Sequence, residues 1–87
     1  MKTIWKYDLA ICTKQVIDMP FGAEVMTVQN QNEKACIWVM VNSDNTIKVP
    51  RTFFIHGTGH TIPNDPGRYI GTFQVHKGTL VFHVFEG

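Results

Sequence analysis

Alternation at every second residue constrains this chain more than any other feature. Near the amino terminus Trp5, Tyr7, Leu9 and Ile11 are apolar while Lys6 and Asp8 between them are charged, the period-two signature of a half-buried strand. In a later run Ile37, Val39 and Val41 share one face and Cys36, Trp38 and Met40 the other, so that strand needs cover on both sides. No stretch holds apolar residues at i, i+3, i+4 and i+7 for three turns, and β-branched or aromatic residues fill every candidate element. Helix is limited to one turn at most. The expected fold is all-β, a small antiparallel β-sandwich or barrel of six to seven strands.

The strand order follows from the punctuation. The segment QVIDMP at 15–20 ends in a proline and suits a sheet edge, where a missing donor does little harm. Residues 23–30 and 34–42 flank a short polar connection at Gln31, Asn32 and Glu33, which reads as a hairpin. Turn formers crowd 42–50 before RTFFIHG at 51–57 resumes the strand pattern. RYIGTFQVH at 68–76 and TLVFHVFE at 79–86 then pair across a tight turn at Lys77 and Gly78. In the final strand Leu80, Phe82 and Val84 face one side and Val81, His83 and Phe85 the other. That strand lies either in the middle of a sheet or under a second copy, and a symmetric homo-oligomer is the expectation.

Size and charge restrict the function classes. A chain of 87 residues, 44% hydrophobic and 17% charged, is expected to form one globular domain over 1–87. Its net charge is +1 and no three basic residues cluster, so neither DNA nor RNA is an expected partner. The longest apolar run, ACIWVMV at 35–41, is too short to span a bilayer, and MKTIWKYDLAICTK lacks the apolar stretch of a signal peptide. A cytoplasmic protein without membrane contact is expected. Cys12 and Cys36 form no CxxC pattern and read as small buried thiols.

The least ordinary segment is FFIHGTGHTIPNDPGRYIG at 53–71. It is far longer than a strand connection needs, so it either covers an exposed edge or binds something. Gly57, Thr58 and Gly59 can turn successive N–H groups inward around an anion if both glycines take positive φ. Arg51, His56 and His60 lie at or before the loop, and Arg68 with Tyr69 closes it, offering guanidinium forks and rings for a phosphorylated, nucleotide-like ligand. Trp5, Trp38 and Gln29 are further candidates for its neighbourhood. Metal is not expected: two glycines interrupt the His56–His60 spacing, and His76 and His83 sit on separate strands without a matching carboxylate. The acids are dispersed with no close pair for acid–base work, so no catalytic residue, enzymatic activity or cofactor is expected.

MKTIWKYDL at the start, MPFGAEVMTVQNQN, the strand carrying Trp38, RTFFIHGTGHTIP, YIGTFQ and LVFHVFE together resemble a family of short, largely uncharacterised proteins of bacteriophages and bacterial genomes. The resemblance covers nearly the whole chain and is most specific at 57–63 and 69–74. It implies a small non-enzymatic antagonist of host defence. The expected activity is sequestration of a nucleotide-derived immune signal. The alternatives are a protein–protein interaction module that inhibits a host protein, or a small phage accessory or structural subunit.

Overall fold

Every residue of Met1–Gly87 is described by the computed structural model. It contains seven strands and no helix: β1 (Lys2–Asp8), β2 (Lys14–Pro20), β3 (Glu24–Gln31), β4 (Lys34–Asn42), β5 (Lys48–Gly57), β6 (Arg68–Val75) and β7 (Leu80–Glu86). They form two antiparallel-paired sheets, a three-stranded one in the order β1-β4-β3 and a four-stranded one in the order β2-β5-β7-β6. No helix is long and apolar enough to cross a membrane.

The alternation read from the sequence places the core. Val25, Val28, Ile37, Val39 and Val41 from the first sheet meet Met19, Phe53, Ile55, Phe73, Val75 and Val84 from the second in one buried cluster. Trp5, Tyr7, Ile17, Ile70 and Phe82 pack around it, half-buried. The β3–β4 hairpin closes at Asn32 and Glu33, both with positive φ (54° and 65°), the two-residue turn whose twist matches its strands. The β6–β7 turn is longer than the expected Lys77–Gly78 pair: it runs from His76 to Thr79, with positive φ at His76, Lys77 and Gly78 and the Thr79 N–H donating to the His76 carbonyl at 3.1 Å.

Two other expectations are corrected. β5 begins at Lys48, inside the supposed turn segment, because Pro50 pairs with β2 where β5 has not yet met β7, and a missing N–H is harmless on a free edge. Cys12 is exposed, its thiol donating to the Lys14 carbonyl at 3.4 Å, whereas Cys36 is buried.

One flank of the sandwich is sealed where β3 and β6 run side by side. Both strands carry a bulge, between Val25 and Thr27 and between Tyr69 and Gly71. A Cβ on Gly71 would stand 2.8 Å from Val28 Cγ1, so glycine is what lets the two edges close on each other. Asn30 Nδ2 donates to the Gln74 carbonyl, and the His76 N–H donates to Glu33 Oε2 at 2.6 Å. These bonds stand in for the ladder that a closed barrel would have there.

The long segment has a topological cause. β5 and β6 are each antiparallel to β7, which lies between them, so β5 and β6 are parallel to each other. The connection from Gly57 to Arg68 must return the full length of the strands, and such crossovers cannot be short.

Gly71→Ala is expected to destabilise the protein by about 1–3 kcal/mol through overpacking against Val28. Urea denaturation checks this, and adding Val28→Ala is expected to return part of the loss, since the two changes act on one contact.

Candidate functional site

The residues proposed for ligand binding fall into separate groups. Arg51 lies in the first half of β5 and Arg68 opens β6, both toward the end of the sheet where β7 finishes, whereas Gly57, Thr58, Gly59 and His60 lie at the opposite end. Six residue steps along the strand separate Arg51 from Gly57, about 20 Å at the usual rise. One ligand pocket containing all of them does not form. Trp5 and Trp38 belong to the other sheet, on β1 and β4, away from this loop.

Both arginines are occupied within the chain. Arg51 donates through Nε and Nη2 to the two carboxylate oxygens of Glu86, and through Nη1 to the Ala23 carbonyl at 2.8 Å. Arg68 Nη2 donates to the Val25 carbonyl at 2.7 Å, with Nη1 4.0 Å from Glu86 Oε1. The Glu86 side chain is 10% exposed, and a carboxylate buried to that degree needs such partners. The forks therefore bind the edge of β3 and the end of β7.

The glycine loop is likewise committed. Gly59 has φ of 88°, while Gly57 has no positive φ and ends β5, so the paired left-handed arrangement expected for an anion nest is absent. The Thr58 N–H donates to the Val81 carbonyl at 3.2 Å and the His60 N–H to the Gly57 carbonyl at 3.1 Å. Gly57 serves another purpose: a Cβ there would lie 3.1 Å from His60 Cε1, so the glycine admits the imidazole. Beside it, Thr58, His60, Thr79, Leu80, Val81 and Phe82 line an open hollow of about 420 Å³.

A hydrogen-bonded row crosses the outer face of the second sheet. The Tyr69 hydroxyl lies 2.6 Å from Thr72 Oγ1, which lies 2.9 Å from His83 Nδ1, and His83 Nε2 lies 2.7 Å from Thr58 Oγ1. His56 faces His83 across β5 and β7, is 9% exposed, and its ring meets Phe85 at 6.0 Å. Thr72 and His83 were outside the sequence-based site. The pairing of residues across Lys77 and Gly78 would have set Thr72 opposite His83.

The sequence also passed over a tip at the other end. Phe21 and Ile47 are 63% and 64% exposed. They are held rather than loose: the Phe21 N–H donates to the Ile47 carbonyl at 2.8 Å, Asn45 Nδ2 to the Phe21 carbonyl at 3.0 Å, and the Ile47 N–H to Asn45 Oδ1 at 3.0 Å. Gly22, with φ of 81°, makes the turn that carries Phe21 outward. The readable signal was a phenylalanine between Pro20 and Gly22, where a turn exposes it. Elsewhere, burial of the Tyr7 phenol raises its pKa above the usual 10.0.

Fold and surface together define a small two-sheet β protein whose two arginines are spent on its own architecture. Over residues 1–87 the chain matches the family described as Domain of unknown function (DUF7352), and it belongs to that family. No curated protein and no solved structure matches it.

Arg51→Ala is expected to cost about 3 kcal/mol, because it leaves the Glu86 carboxylate buried without its main partner. Arg68→Ala, at a side chain 57% exposed, should cost less than half as much. Thermal or urea unfolding of both variants separates this clamp from a ligand-binding role, which would leave stability unchanged.

Proposed function

We propose that this protein works by binding and not by catalysis, and that what it binds is another protein. The carrying observation is the tip formed by Phe21 and Ile47, two large apolar side chains about two-thirds exposed on backbone that three hydrogen bonds hold in place. Anchors already held in one conformation lose little entropy on docking, and large apolar groups seated in a partner's pocket dominate interface energetics. In the setting that the resemblance implies, the protein is a phage product acting in the host cytosol, and the partner is a host defence protein that it inhibits.

A second reading, an anti-defence sponge for a nucleotide-derived signal, draws on one observation: the hollow of about 420 Å³ beside Thr58 and His60, within the size range of small-molecule sites. Its weakness is chemical. The arginines and the loop amides that would hold phosphate already have partners.

The two readings separate experimentally. The double variant Phe21→Ser with Ile47→Ser should keep the wild-type melting temperature, since exposed substitutions typically shift stability by no more than about 0.5 kcal/mol. A photoreactive residue at position 21, but not one at position 65, should yield a single discrete cross-linked partner in cells. In a thermal-shift screen against linear and cyclic nucleotides, no stabilisation is expected. Saturable stabilisation abolished by Thr58→Ala and His60→Ala, yet intact in the Phe21 and Ile47 variant, would replace the first reading with the second.

A further inference from the structure

The flank opposite the β3–β6 seam is open. β1 is hydrogen-bonded to β4 alone and β2 to β5 alone, so each presents a free row of backbone donors and acceptors. Native proteins usually blunt such an edge or use it for pairing. β1 is seven residues long without proline or glycine, and its charges have a particular order. Lys2 stands at one end and Asp8 at the other, both exposed, and neither takes part in the chain's ion pairs, which join the amino terminus to Asp44 and Glu86 to Arg51 and Arg68.

We propose that a second copy of this chain occupies the β1 edge, antiparallel and in the register centred on Trp5. Across that two-fold axis Lys2 faces the partner's Asp8, Ile4 faces the partner's Lys6, and Thr3 faces the partner's Tyr7. Both ends of the strand then carry an opposite-charge pair, and the partner strand lies beside an Ile4 that is otherwise 53% exposed. Neighbouring registers are disfavoured. Centred on Ile4, Lys2 would face the partner's Lys6; centred on Lys6, two lysines would meet directly, and like charges opposite each other destabilise a ladder. Beside the edge, a hollow of about 440 Å³ lined by Lys2, Thr3, Ile4 and Met40 leaves space for the partner's side chains. β2 is the weaker edge, since Lys14 would face the partner's Asp18 only in a register centred on Val16, off the middle of the strand, and Pro20 lacks a donor. The result is a continuous six-stranded sheet, and it is independent of what docks at Phe21 and Ile47.

Charge exchange tests the register. Sedimentation equilibrium of the wild-type protein in the micromolar range should give twice 9.9 kDa. Lys2→Glu alone and Asp8→Lys alone should each weaken the dimer about tenfold or more, and the two together should restore it. Circular dichroism is expected to show unchanged strand content in all three, because both positions are exposed and unpaired. A wild-type monomer at every concentration would overturn the proposal. So would single reversals without effect, a double variant no tighter than the singles, or a dimer dissolved instead by reversal at Lys14 or Asp18.

Discussion

The Glu86 carboxylate, gripped by Arg51 and neighboured by Arg68, is the contact on which the arrangement of the two sheets rests. It joins the first half of β5, the start of β6 and the end of β7, and the same guanidinium groups reach across to the carbonyl of Ala23, just before β3, and that of Val25 on β3. Apolar packing alone leaves two small sheets free to slide, because burial is proportional to area and not directional. A bidentate fork has a fixed geometry. The clamp therefore sets the sheets' relative position, and the Gly71–Val28 approach and the Asn30 and Glu33 bonds extend that setting along the seam.

This explains why the fold was legible and the site was not. Alternation in β4 and β7 and the turn chemistry at Asn32–Glu33 specify strands and hairpins locally, and local rules suffice to read them. The question left open by the two-faced β7 has the simpler answer: it lies between β5 and β6. Arg51, Arg68 and Gly57 are residues a phosphate site would use, but their neighbours are Glu86, the carbonyls of Ala23 and Val25 and the ring of His60. Those pairings depend on how the sheets stack, which no short window of sequence contains.

The loop at 57–68 makes the same point in another way. Its length, beyond what a hairpin needs, suggests that it covers an exposed edge or binds something. That inference assumed that consecutive strands pair. Once β7 intervenes, length is what a return path requires, and the residues that remain conspicuous are the ones no internal partner covers: Phe21, Ile47 and the charged edge of β1.

The position of β7 also has a consequence for synthesis. β5 and β6 have no direct ladder with each other, and β6 has none at all until Leu80–Glu86 is in place. While the ribosome is still holding that stretch, the second sheet consists of the β2–β5 pair alone and Arg51 has no carboxylate to grip. The β3–β4 hairpin and β1 can pair early, but their apolar inner face then waits for its cover. The nascent chain is thus exposed to mispairing until β7 emerges, and the order of strands makes β7 the step that completes the sandwich.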